Sequence, residues 1–290
     1  REPRYLFQGE KIHLCGDGSF DSRGYNAEWC RYYLLDAESN DVLHHVLVNR
    51  TQTGSSGTME VYGLEKALSE LGDQIGGVTH IASLVTDRHS AVTTMMREKF
   101  PGIKHRFDPW HFFRNLSLAL VSITKPRYMA LVRAWMRFII NQSYWAVASS
   151  KGDGEQASLR FRSILQCVSG KHSFTYDSTF KSFPNCLHGP FPNGTKPVFL
   201  SSSDKAFKRL SDTVFTQKNI NDISSVSWLT ATSCNESLNA LTIRYARKDK
   251  YFSRDGHNMR TELAMCHWNE LKEDERNGVR AVVGKKKIFN

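Results

Sequence analysis

The sequence predicts an α/β fold, a mixed sheet flanked by helices and interrupted by a mainly helical insertion. Three observations predict it. β-rich runs joined by short polar turns open the chain, strand and helix signals alternate up to about residue 124, and long helical periodicity takes over from about residue 125.

The elements follow in order. "KIHLCGDGS" is a short apolar run that ends in a Gly-flanked Asp, and "CRYYLLD" and "DVLHHVLVN" are β-rich runs joined by "AESND", so three strands succeed one another as a meander. "TMEVYGLEKALSELG" places Val61, Leu64, Ala67, Leu68 and Leu71 on one helical face, with Gly72 as the expected C-cap. "HIASLVTD" reads as a buried strand, "AVTTMMREKFPG" as a short helix closed by Pro-Gly, "IKHRFD" as a strand and "PWHFFRNLSLALVSI" as a helix. Long helices are expected over 126–149 and 155–167, split by "SSKGDGEQ". The irregular stretch "KHSFTYDSTFKSFPNCLHGPFPNGTKPVFLSSSDK" follows, and so long a loop needs a reason to be ordered. Helices over 205–217, 234–247 and 258–273 complete the chain, and "GKKKIFN" reads as a solvated basic tail. The domain reading is therefore a core over 10–124, a helical insertion over 125–222, the final core helices over 223–275 and a tail over 276–290.

Composition narrows the partners. A net charge of +10 and a pI near 9.3 favour a polyanion, nucleic acid ahead of an acidic membrane surface. No stretch approaches the roughly 20 apolar residues that span a bilayer; "YMALVRAWMRFIINQSYWAVA" carries Arg133 and Arg137 and reads as a buried helix. Six cysteines scattered from Cys15 to Cys266 do not form a dense disulfide framework, so a reducing compartment is expected.

Two carboxylates stand at strand ends, Asp17 in "LCGDGSF" and Asp87 in "LVTDRH", where α/β sheets build their sites. Each alone is more commonly a turn or cap residue, and the pair carries more weight. If the first and fourth strands are neighbours, the two side chains can share a divalent cation such as Mg²⁺, which takes hard oxygen ligands and keeps several waters. Glu236 in "SCNES" offers a third acid, although Ser233-x-x-Glu236 also fits a capping box. "HRFDPWHFF" holds the same ambiguity: Asp108 suits an N-cap followed by Pro109, and Asp108 with His111 also suits a site. Within the irregular stretch, Cys167-x4-His172 and Cys186-x-His188 suit a tetrahedral Zn²⁺ that would hold it folded; unligated loop residues are the alternative. Arg244, Arg247 and Lys248 cluster at the end of the helix that begins with Glu236, and Arg106 and Arg114 flank Trp110. Such residues contact phosphates or, in a last turn, complement the helix dipole.

Taken together, "GDGSFDSRGYNAEWCRYYLLD", "SGTMEVYGLEKAL", "LVTDRHSAV", "PGIKHRFDPWHFFRNL", "CLHGP" and "CNESLNALTIRYA" with "RTELAMCHWNEL" resemble, in this order, the DDE transposases of the Kolobok type, relatives of the Mutator and hAT superfamilies. The resemblance runs from about residue 11 to 272. It implies an RNase H-like core with a helical insertion before the third acid, about 150 residues after the second. It also implies DNA strand cleavage and strand transfer with Mg²⁺ or Mn²⁺ held by Asp17, Asp87 and Glu236. Asp108-Pro-Trp-His111 matches a Cys- or Asp-x-x-His signature that supports the site and the DNA. In that role, capping by Asp108 aims His111 and the positive helix end at the DNA backbone. Arg88 of "TDRH" joins the expected DNA contacts. Relatives carry a His/Cys cluster and a C-x-H-G element in the irregular region, often with His where this chain has Cys167. Transposon-end and target DNA, a homo-oligomer and a nuclear location follow from the same resemblance. Two other functions remain open: a domesticated DNA- or chromatin-binding relative without transposition, and an RNase H-fold nuclease acting on RNA or hybrids, against which the long insertion counts.

Overall fold

The computed structural model describes residues 11–22, 26–188, 198–228 and 232–280. The basic end from residue 281 lies outside them. The chain forms two compact units, residues 1–105 with 231–290, and residues 106–230.

In chain order the strands are β1 (Ile12–Phe20), β2 (Trp29–Asp36), β3 (Val42–Asn49), β4 (Ile81–Thr86) and β5 (Lys104–Phe107). The helices are α1 (Arg50–Thr53), α2 (Ser56–Gln74), α3 (Ser90–Lys99), α4 (Pro109–Ile123), α5 (Ala130–Ser150), α6 (Gly154–Val168), α7 (Lys205–Val214), α8 (Gln217–Ile223), α9 (Ser233–Tyr245) and α10 (Arg254–Arg276).

In the first unit the strands form one sheet in the order β3-β2-β1-β4-β5. β1–β2 and β2–β3 are antiparallel, β1–β4 parallel, which makes the mixed sheet with an antiparallel start that the sequence predicts. β2 is buried at every position because it is covered on both faces. Cys30, Tyr32 and Leu34 pack with Met59, Leu64, Ala67, Leu68 and Leu71 of α2. On the opposite side, Tyr33 and Leu35 pack with Leu238 of α9 and Trp268 of α10. Each large side chain so buried contributes about 1.5–3 kcal/mol. Polar bonds fix the second face: Tyr33 Oη pairs with Thr242 Oγ1 at 2.9 Å, and Trp268 Nε1 donates to Asn40 O at 2.8 Å.

Glycines set how closely α2 approaches. A methyl group at Gly63 would lie 3.2 Å from Tyr32 Cβ and 3.3 Å from Val48 Cγ2, so any side chain there would force its neighbours to give by a few tenths of an ångström. Gly72 corrects an expectation. It does not end the helix; α2 runs on to Gln74, and the missing side chain makes room for Val78, whose Cγ1 would lie 2.6 Å from a methyl there. The reversal falls instead on Gly76 and Gly77, at φ 83° and 137°.

The second unit is helical. Phe112, Phe113, Leu116 and Leu120 of α4 share a core with Val132, Trp135 and Ile139 of α5, Phe161 and Ile164 of α6, and Leu210 of α7. The helix expected over 205–217 is two helices, because the Thr216 side chain accepts from Asn219 N and caps a new start at Gln217. Among the described residues, no helix is long and apolar enough to cross a membrane.

Candidate metal centres

The parallel pairing of β1 with β4 places Cys15 beside Val85. Two residues further along both strands, Asp17 and Asp87 therefore come side by side. Their proximity is felt electrostatically. Burial, then the charge of Asp87, then that of Glu60, and last that of Glu236 push the Asp17 carboxyl up to about 7. Asn239 of α9 reaches the same acid, its Nδ2 donating to Asp17 Oδ2 at 2.7 Å. Asp17 and Asp87 thus stand close at the end of β4, and Glu236 adds the weakest of these influences on Asp17.

Glu236 stands on the first turn of α9 and is exposed. The capping box does not form: α9 is capped at Thr232 with no side-chain hydrogen bond, and Ser233 is already helical. Glu236 thus has no role as the N3 residue of such a box.

A fourth carboxylate escaped the sequence reading. Glu60 lies on α2 at a polar position that reads as solvated, yet burial raises its pKa, with Asp87 adding to the rise and His89 opposing it. Its signal was in "GDG". A methyl at Gly18 would lie 3.0 Å from Glu60 Cγ, and one at Gly16 would lie 2.8 Å from Tyr32 Oη. Both glycines flank Asp17 because other side chains cross the strand there.

The signature residues fold within the second unit. Asp108 N-caps α4, its Oδ1 accepting from His111 N at 2.8 Å and facing His111 Nδ1 at 3.1 Å, with Pro109 in the first turn. Asp108 is buried, and its cap orients the His111 ring. Trp110 is about half exposed, and the Arg114 guanidinium sits over its ring, 5.5 Å from the centroid.

The other basic residues divide by what they touch. Arg106 donates to Gly152 O at 3.1 Å and Ser224 O at 3.3 Å, so its guanidinium ties segments of the second unit together, and burial lowers its pKa. Arg247 forms a two-pronged pair with Asp249 at 2.9 and 2.7 Å. Arg244 lies in the last turn of α9, and Arg244 and Lys248 are exposed; Arg88 is half-buried beside Asp87.

A second cluster lies in the irregular stretch. Ligand atoms of Cys167, His172, Cys186 and His188 all fall within 4.8 Å of one another. Local folding explains their meeting. α6 ends at Val168, Gly170 turns the chain at φ 81°, and Ser173 pairs with Asn185 while Cys186 N donates to His172 O at 2.9 Å. Phe174, Phe180 and Phe183 form a small core beneath. His188 Nε2 and His172 Nδ1 face each other at 3.2 Å. The two sulfurs touch, but the Cα atoms of Cys167 and Cys186 are 7.4 Å apart, wider than the roughly 4.4–6.8 Å that disulfides span. Two sulfurs and two imidazole nitrogens converging at this spacing can hold a metal ion. A scan against models of known families finds none that matches this chain, and a search of curated proteins likewise finds no match.

Proposed function

We propose that the chain is the catalytic domain of a metal-dependent DNA transposase, with an RNase H-like sheet and a DDE triad of Asp17, Asp87 and Glu236. The observation that carries this reading is the closeness of Asp17 on β1 and Asp87 just after the parallel strand β4, with Glu236 of α9 also acting on Asp17. The donor set fits Mg²⁺ or Mn²⁺. Every ligand atom is a hard carboxylate oxygen, and of the causes that raise the Asp17 pKa, burial first and then the neighbouring acid charges, the second is a field that also favours a cation. Bound divalent cations supply stabilisation of the negative charge that builds on a phosphoryl group during displacement. The chain's own residues do the positioning. Asn239 fixes the rotation of the Asp17 carboxylate, and β1 and β4 hold the two strand-end acids on a rigid frame.

DNA is the partner this reading requires, both element ends and target, and the net charge of +10 attracts it. A nuclear site of action and assembly of more than one copy belong to the same reading. We read Asp108 and His111 of the second unit as DNA-supporting residues, on their mutual hydrogen bond, with Trp110 and Arg114 on the surface beside them. The Cys167, His172, Cys186 and His188 cluster we read as a structural Zn²⁺ site, on the Cα separation that a disulfide does not span.

The test is cleavage and joining of DNA carrying the matching terminal inverted repeats in Mg²⁺ or Mn²⁺. Asp17→Ala, Asp87→Ala and Glu236→Ala are each expected to reduce turnover by at least about 10²-fold, the scale on which removal of electrostatic stabilisation acts. Full activity in Glu236→Ala would remove it from the triad. DNA binding without any cleavage by the unaltered protein would favour the domesticated relative.

A further inference from the structure

We propose that the first unit binds a tetrahedral oxyanion of the phosphate class between β2 and the start of α10, held by Arg31, Trp29 and His257. None of these residues belongs to the acidic centre. β2 is an interior strand, paired with β1 on one side and β3 on the other, and every position on it is buried. Arg31 is only 1 % exposed, and both of its terminal nitrogens are buried without a hydrogen-bond partner. A guanidinium does not give up its proton in a protein, so an unpaired one in the interior is strongly unfavourable. Acids are at hand but do not neutralise it. Asp21 Oδ1 accepts from Glu28 N at 3.1 Å, and among the described residues no carboxylate forms an ion pair with Arg31.

Neighbouring nitrogens are unpaired as well. Side chains alternate along a strand, so Trp29 and Arg31 rise from the face on which Tyr33 and Leu35 meet α9 and α10. Trp29 Nε1 is buried and has no acceptor. His257, near the start of α10, is buried, and its Nδ1 is also without a partner. Its ring lies 5.7 Å from that of Trp29 and 5.4 Å from that of Phe252, which precedes the N-cap Ser253, so it sits at the positive end of a 23-residue helix. The Arg31 charge reaches this ring: after burial, it is the largest influence that lowers the His257 pKa, and Asp21 and Glu28 oppose it by less. Three side chains with unpaired nitrogens, two from the strand and one from the helix packed on it, thus lie together where positive charge is uncompensated. An acceptor with negative charge belongs there. A carboxylate offers its lone pairs in one plane, whereas donors from a strand and from a helix above it approach from different planes, which suits the oxygens of a phosphoryl group. Helix N-termini favour the same anions.

Inorganic phosphate, titrated into the full chain against chloride at equal ionic strength, tests this without reference to cleavage. The Trp29 indole N–H resonance, identified by its loss in Trp29→Phe, should move with phosphate, and the melting temperature should rise with phosphate concentration. Arg31→Met should lower phosphate affinity by at least about tenfold, the scale on which a hydrogen bond to a charged group acts, and His257→Phe by a smaller factor. Without phosphate, Arg31→Met should melt no lower than the unaltered protein, since it removes an unpaired interior charge. Acetate at the same concentration should neither move the resonance nor raise the melting temperature. An oligonucleotide with a terminal phosphate that competes with inorganic phosphate, where its dephosphorylated counterpart does not, would support the site with a nucleic-acid end as the source of the anion; no competition by either would support it with the free ion. A Trp29 resonance that ignores phosphate, or that answers acetate equally, overturns the proposal. Phosphate affinity unchanged in Arg31→Met overturns it as well. Should that variant fail to fold, unchanged affinity in both Trp29→Phe and His257→Phe does the same. Each of these results leaves the three-acid reading standing.

Discussion

His105 shows how a single side chain next to the acidic centre links the fold to pH. Its Nε2 meets Thr86 Oγ1 at 2.9 Å, and the same hydroxyl donates to Asp87 O at 3.0 Å. With the hydroxyl proton committed to Asp87 O, the imidazole nitrogen must be the donor, which fixes the tautomer. Burial pushes the His105 pKa down to about 4. A group whose folded pKa is depressed adds stability above its unfolded pKa, near 6.5, and loses it as the pH falls towards 4. The unaltered protein should therefore lose up to roughly 3 kcal/mol relative to His105→Gln between those pH values, read from denaturant melts. A parallel acid limb in both proteins would show that His105 is not held neutral. Tyr33 offers a pH-independent counterpart. Tyr33→Phe removes the bond to Thr242 Oγ1, which keeps its bond to Leu238 O, so the expected loss is about 1 kcal/mol at any pH below the tyrosine range.

At the scale of elements, α2 is the part whose position matters most. Gly63→Ala crowds Tyr32 Cβ and Val48 Cγ2, with an expected cost of about 1–3 kcal/mol. Gly57→Ala, which meets nothing within 4 Å, should by contrast not lower stability. A Gly63→Ala protein as stable as the unaltered one would show that the approach of α2 does not depend on the missing side chain. This element also shows what the sequence could and could not disclose. Asp17 and Asp87 were legible because strand alternation and a terminal acid are local patterns, and parallel pairing then brings them together. Glu60 was not, because its burial depends on how closely α2 packs, and that distance is set by two glycines and by side chains of strands far away in sequence. Gly72 was misread for the same reason: its use is a tertiary contact with Val78, not a helix end. Arg106 read as a phosphate contact because nothing local reveals the carbonyls of Gly152 and Ser224 that it binds. The Cys and His residues of the irregular stretch were legible by spacing, since the short separations left little freedom in where their ligand atoms could meet.

For the molecule as a whole, charge and metal content are the measurable properties. Binding to double-stranded DNA should weaken steeply with salt, each phosphate contact lowering the log–log slope by about 0.9, and Arg114→Ala should make the slope shallower by about one. An unchanged slope would take Arg114 out of the interface. Metal analysis should find about one zinc per chain, lost in Cys167→Ser, and chelation should lower the melting temperature of the second unit, whose irregular stretch has only a small aromatic core of its own. No zinc in freshly purified protein would end that assignment. The division of the chain has one more consequence, in time rather than space. The first unit is interrupted after residue 105 and resumes at 231. A ribosome working at about 5–20 residues per second therefore delivers Asp87 roughly seven to thirty seconds before Glu236, and Asp17 earlier still. Until then the nascent chain carries acids without the α9 residues, so the proposed centre stays incomplete for that interval.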